Sequence, residues 1–321
     1  MAYITIQNTD HYCQWITSAG ESRTGKPVML FIHGWGGSAR YWQATATALS
    51  DQFDCLLYDL RGFGRSRRQG SQANGPLGNA TDPAALAPFA IQRYADDIIA
   101  LLDHFAIPRC WLQAHSMGTS IAALVLAQHP ERIEKAILAC GGIFVYRKLV
   151  FELFYFFGRY VVQFRPRWFT QIPFADWVFM QRFLHRPLPK ALRMEFLDDF
   201  LDADGAAALG TLKSAVSQQA AEEMPDYFSQ FTMPTLLISG QYDQIIPARL
   251  GTSAAALNRA QINHQIMAGT GHFPMLEDPA GYLARVRAFI QAVDGSNAAA
   301  LDGHSPSPGG DASPKTALSN H

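Results

Sequence analysis

Residues 110–118 read CWLQAHSMG, and this stretch decides the fold. Cys110–Ala114 is a short apolar run of the kind that forms a buried strand, and it leads straight into Ser116. Met117–Gln128 then reads as a helix, with Ala122 and Ala123 allowing close approach to a sheet. A serine between strand and helix, with small residues Ala114 and Gly118 two places to either side, can hold its Oγ clear of the backbone on a sharp turn. A nucleophilic serine needs that geometry. The spacing alone arises often by chance, and a helix-capping serine would occupy the same place. The flanking strand and helix give the pattern its weight.

Upstream, Val28–His33 (VMLFIH) reads as another buried strand, opening into His33-Gly34-Trp35-Gly36-Gly37. Acyl transfer develops negative charge on a carbonyl oxygen, which preorganised backbone N–H groups stabilise. Glycines bring such a loop close, so the amides of Trp35 and Met117 are the expected oxyanion donors, the latter at a helix N-terminus. The loop has neither a G-x-G-x-x-G pattern nor a P-loop lysine, which argues against phosphate binding. His33 is expected to brace the loop by hydrogen bonding.

Further strands are expected at Phe53–Tyr58, Lys135–Cys140, Thr235–Ser239 and His264–Ala268, and helices at Ser38–Leu49, Ile91–Phe105 and Gly281–Val293. Tyr3–Thr17 reads as antiparallel edge strands. This alternation predicts an α/β fold with a mostly parallel central sheet flanked by helices. Between Ile143 and Phe231 the alternation stops and aromatics crowd the sequence, so a helical cap inserted into the core is expected there. The predicted organisation is core 1–142, cap 143–231, core 232–294 and a disordered, Pro/Gly-rich tail 295–321.

The 321 residues are 48% hydrophobic, enough for a large core, with 26 basic against 27 acidic side chains. A net charge of −1 offers no cationic footprint for nucleic acid, so the expected partner is a small apolar molecule. Cys13, Cys55, Cys110 and Cys140 form no CxxC pair and read as buried free thiols, which fits a reducing, cytoplasmic location. The N-terminus lacks the basic head and apolar run of a signal peptide. No His, Cys or carboxylate cluster has metal-ligand spacing, so neither metal nor cofactor is expected.

The longest apolar run, Leu149–Phe164, is interrupted by Glu152 and Arg159 and falls short of the roughly 20 residues that span a bilayer. It reads as a pocket-lining or surface-seeking helix. Phe154 and Phe157 are the candidate pocket residues, and a weak peripheral contact of the cap with a membrane is the second expectation.

Three more stretches stand out: DLRGFGRS at 59–66, SGQYDQIIP at 239–247 and GTGHFPMLEDP at 269–279. With HGWGGS at 33–38 and AHSMG at 114–118, they make the chain resemble the α/β-hydrolase superfamily over almost all of residues 1–294. Ala114 departs from the usual glycine by one methyl. The resemblance implies a triad in the chain order nucleophile, acid, histidine, hence Ser116, Asp243 and His272. Asp226 and Asp278 stay open as the acid, and His264 as the histidine. Asp59 and Arg61 are expected to fix the loop under the site, and His115 to point away from it.

Such a site implies hydrolysis of a carboxylic ester through an acyl-enzyme, with the cap selecting a hydrophobic substrate. Thioester hydrolysis, C–C hydrolysis of a diketone and perhydrolysis use similar residues. A ligand receptor that keeps the triad is the reading from another class.

Overall fold

The computed structural model describes residues 2–67 and 83–302. Runs such as VMLFI at 28–32 and DCLLY at 54–58 are buried at every position, which requires a sheet covered by helices on both faces. Eight strands form that sheet: β1 (Ala2–Ile6), β2 (Thr9–Ile16), β3 (Val28–Ile32), β4 (Asp54–Tyr58), β5 (Cys110–His115), β6 (Ile133–Ala139), β7 (Thr235–Gly240) and β8 (Ile262–Met267). Their order is β1-β2-β4-β3-β5-β6-β7-β8. β1 and β2 pair antiparallel, as does β2 with β4, and every other pairing is parallel.

The helices, in chain order, are α1 (Gln43–Leu49), α2 (Pro83–Leu86), α3 (Ile91–His104), α4 (Met117–Gln128), α5 (Lys148–Gln163), α6 (Ala175–Met180), α7 (Lys190–Asp202), α8 (Gly205–Ala215), α9 (Gln218–Ser229), α10 (Ala248–Leu257), α11 (Pro274–Glu277) and α12 (Pro279–Asp302). Alternate residues of β3 serve two cores, because successive strand side chains point to opposite faces. Leu30 and Ile32 join Ile98 of α3 and Ile121 of α4, while Met29 and Phe31 join Leu49 of α1 and Val286 of α12. The buried apolar positions of α3 (Ile91, Tyr94, Ala95, Ile98, Leu101, Leu102) follow the helical period that its sequence shows.

Because the central strands are parallel, the loops that leave β3, β5, β6, β7 and β8 all emerge at one edge of the sheet. In open α/β sheets ligands bind at that edge.

Segment 143–231 forms α5 to α9 and a 3-10 turn at Arg167–Gln171. α5 lies close on α8 at Gly158, where a Cβ would come within 2.5 Å of Leu212 Cδ2. Just beyond α5, Arg165 is 1% exposed, and its Nε and Nη1 each donate at 2.7 Å to the carbonyls of Val162 and Phe200. Those carbonyls belong to the last turns of α5 and α7, whose partial negative charge offsets the buried cation. Burial still pulls the Arg165 guanidinium down to about 10.

β6 and β8 each begin two residues earlier than expected. The larger correction is at the C-terminus. α12 continues to Asp302, so 295–302 is helical where a disordered tail was expected. The run Ala298-Ala299-Ala300-Leu301 consists of the strongest helix formers, which outweigh the single Gly295. The rest of the expected tail, 303–321, lies outside the described residues.

Candidate active site

β5 ends at His115 and α4 begins at Met117, leaving one residue to make the turn. Ser116 makes it at φ 54°, ψ −123°, a left-handed conformation that costs an L-residue on the order of 1–3 kcal/mol. The surroundings hold it there. Its N–H donates to Ala139 O at 2.9 Å, and its carbonyl accepts from Thr119 N at 2.8 Å and Thr119 Oγ1 at 2.6 Å. A Cβ at Gly118 would stand 2.7 Å from His33 O, so glycine lets α4 start hard against the loop after β3. Ala114 is fully buried between Ile32 and Leu138, where its extra methyl is accommodated.

Ser116 is half-buried, and its Oγ lies 2.9 Å from His272 Nε2. His272 Nδ1 lies 2.7 Å from Asp243 Oδ2. An ionised carboxylate can only accept, so Nδ1 carries the proton and Nε2 is left to accept from the serine hydroxyl. The other Asp243 oxygen accepts from Ile245 N at 2.8 Å and Ile246 N at 2.9 Å, which fixes the carboxylate plane. The two alternatives for the acid are elsewhere. Asp278 accepts from Gly281 N and pairs with Arg186, and Asp226 is exposed on α9. His264 bonds Ser239 Oγ at 3.0 Å instead of approaching Ser116.

The loop at 33–37 meets the serine directly, since a Cβ at Gly34 would lie 3.1 Å from Ser116 Cβ. Among the described residues the amides of Trp35 and Met117 donate to no protein acceptor, as the first N–H of a helix must be for Met117. His33 braces this loop, with Nδ1 2.8 Å from Gly34 O and Nε2 accepting from Leu60 N at 2.9 Å. Asp59 binds Ala39 N and the Arg65 guanidinium, whereas Arg61 pairs with Asp97 instead. Burial alone would raise Asp59, but the hydrogen bonds and charge of Arg65 hold it below the usual carboxylate range.

Behind the triad runs a second, fully buried network. Gly34 N donates to Tyr41 Oη at 2.6 Å, Tyr41 Oη lies 3.0 Å from His115 Nδ1, and His115 Nε2 lies 2.7 Å from the His272 carbonyl. Since a carbonyl only accepts, His115 carries its proton on Nε2 and accepts the Tyr41 hydroxyl hydrogen bond on Nδ1. His115 is therefore neutral, and burial, then the nearby His272, pushes its pKa well below the ordinary histidine value. It points away from Ser116 and ties the glycine loop to the histidine loop.

Sequence reasoning missed Glu277. Its buried carboxylate accepts from the backbone N–H groups of His185, Arg186, Gly271 and Phe273 at 2.7–3.1 Å, clasping the His272 loop to segment 143–231. The His272 N–H itself donates to Phe183 O at 2.7 Å. The only available signal was a lone glutamate in MLEDP, five residues after the histidine.

The expected pocket residues fare differently. Phe157 is 63% exposed on the outer face of α5, while Gly158 and Val162 occupy the face turned inward. The side chain of Phe154 lies outside the described residues. The aromatic rings beside His272 include Phe273 and Phe183, with ring centres 5.5 and 6.1 Å from its own, while Trp35, Phe200 and Phe179 pack in a tilted series beyond the glycine loop.

His115, Cys140 and His272 bring potential metal-ligand atoms within 4.8 Å of one another. Both nitrogens of each imidazole are already engaged. Burial and the adjacent Asp243 charge keep the Cys140 thiol protonated, well above its usual range, so the three offer no open ligand set.

A family model described as the alpha/beta hydrolase fold matches residues 27–279. The chain belongs to the α/β-hydrolase family. This α/β-hydrolase is 26% identical over 280 residues to an uncharacterized protein of Mycobacterium tuberculosis, covering 84% of this chain and 76% of the relative. Among solved structures it resembles an enol-lactonase from Burkholderia xenovorans, with TM-score 0.69 and 19% identity over 90% of this chain and 100% of that one. It also resembles an esterase from Exiguobacterium antarcticum, with TM-score 0.69 and 21% identity over 90% and 98%. At these identities the likeness to the α/β-hydrolase is one of fold.

Proposed function

We propose that this α/β-hydrolase cleaves carboxylic esters of small apolar substrates through an acyl-serine intermediate. The observation that carries the reading is the unbroken hydrogen-bond chain Ser116–His272–Asp243 at the carboxyl edge of the sheet. His272 Nε2 takes the Ser116 proton as Oγ attacks the ester carbonyl, and Asp243 stabilises the imidazolium that forms. The Trp35 and Met117 amides receive the oxyanion. The protonated His272 then gives its proton to the leaving alkoxide, and later activates water to release the acid.

Trp35, Phe179 and Phe183, half-buried around the triad, supply the apolar walls in this reading. The described fold neighbours include an esterase and an enol-lactonase, and a lactone is a cyclic ester, which supports the bond type. The test is a panel of acyl esters of graded chain length, run beside fluorophosphonate labelling of wild type and Ser116→Ala. Ser116→Ala should lose labelling and fall on the order of 10⁴-fold in turnover, since triad members act as a unit. Undiminished turnover in that variant would reject the mechanism, and turnover of thioesters alone would reject the substrate class.

A further inference from the structure

Thirteen of the seventeen exposed large apolar side chains among the described residues fall between Val145 and Val178. On α5 and its C-cap, Leu149, Leu153, Phe157, Tyr160 and Phe164 recur every three to four residues and are each 47–69% exposed. They form a single outward stripe, and Val162 faces inward behind it. The apolar surface continues through Trp168 to Phe174 (75% exposed), Trp177 and Val178. An exposed patch of this kind marks a docking surface.

The charge of the same segment identifies the occupant. Residues 147–193 carry nine Lys or Arg against two Asp or Glu, in a chain whose net charge is −1. Of these, Arg165 is buried, Arg167 and Arg186 pair with Asp202 and Asp278, and Lys148 lies near Glu152. Asp176 is buried against Arg193, which leaves Glu152 as the exposed carboxylate of the segment. Arg147, Lys148, Arg182 and Lys190 are exposed. A two-fold dimer through this face would set cations against cations. An anionic headgroup layer would neutralise them while Trp, Tyr and Phe rings enter the acyl boundary. No described helix is long and apolar enough to cross a membrane, so the contact is one of lying on the surface.

We propose that the α5–α6 face docks this protein on an anionic lipid surface. This goes beyond the ester reading and does not depend on it. The experiment is flotation of the full chain with vesicles of phosphatidylcholine alone, and of phosphatidylcholine mixed with phosphatidylglycerol. The protein should float with the anionic vesicles, less with the neutral ones, and less again at high salt. Phe157→Ser with Phe174→Ser should cut partitioning at least about tenfold. Arg147→Glu with Lys148→Glu should cut it about fivefold per lost cation. Both variants should keep the wild-type circular dichroism and melting temperature. The proposal is overturned if wild type stays unbound to both vesicles, or if the double Phe variant floats like wild type. It is equally overturned if wild type is a dimer that the Phe substitutions make monomeric while neither protein floats, which would make the face a self-association surface.

Discussion

At the scale of single residues, strain and buried hydrogen bonds concentrate within a few positions of Ser116. The two Asp243 contacts to backbone amides and its bond to His272 leave its carboxylate no freedom. Asp243→Asn should therefore present the imidazole in the wrong tautomer and lower kcat on the order of 10⁴-fold. Asp278→Asn, which only weakens a turn bond and an exposed ion pair, should lose less than about threefold. Steady-state kinetics on one ester compares the two, and a reversal of that ranking would reassign the acid. Glu277→Gln sets an NH₂ donor against backbone donors. It should lower kcat about ten- to a hundredfold with KM nearly constant, and cost about 2–4 kcal/mol of stability. A change in KM alone would remove Glu277 from the positioning of His272.

At the scale of elements, legibility depended on whether the residues involved were consecutive. β3, β5 and α4 could be read because an apolar run, a glycine loop and a strand–serine–helix junction are each contiguous. Tyr41–His115 and His185–Glu277 could not, since they join residues 74 and 92 positions apart through buried contacts with no local pattern. The outward placement of Phe157 was hidden for a different reason. α5 is apolar around most of its circumference, so periodicity revealed a stripe without saying which stripe faces in. Arg165 was equally silent, an arginine whose role appears only when two helix ends converge on it. Arg165→Ala orphans the Val162 and Phe200 carbonyls and should cost about 3 kcal/mol in urea unfolding. A loss below about 1 kcal/mol would mean that solvent reaches those helix ends.

At the scale of the whole molecule, Asp199 of α7 joins segment 143–231 to the core through Ser38 Oγ at 2.5 Å and Arg40 at 3.0 Å. Burial outweighs the bond to Ser38 and the charge of Arg40, and raises its carboxyl to about 6 from 3.8. The folded state thus holds this proton more tightly than the unfolded state. Its contribution is most favourable below the unfolded value and is lost as pH rises through about 6, by up to about 3 kcal/mol. Asp199→Asn has no such proton to lose. Urea unfolding at a series of pH values should therefore show the variant gaining on wild type between about pH 4 and pH 7. A constant difference would mean that Asp199 ionises as freely folded as unfolded.

The two backbone bonds of His272 reach opposite parts of the chain, Phe183 O on one side and the His115 ring on the other. Glu277 locks the same corner by holding the amides of His185 and Arg186. Swinging segment 143–231 open like a door would break those bonds and drag the imidazole off its serine. In the proposed ester reading a substrate would reach Ser116 while that corner stays shut. Trp35, tied to the Ala208 carbonyl by its indole N–H, is pinned to the same segment, so under the ester reading admission would fall to the turning of a ring such as Phe179, which is far faster than any hinged movement of a domain.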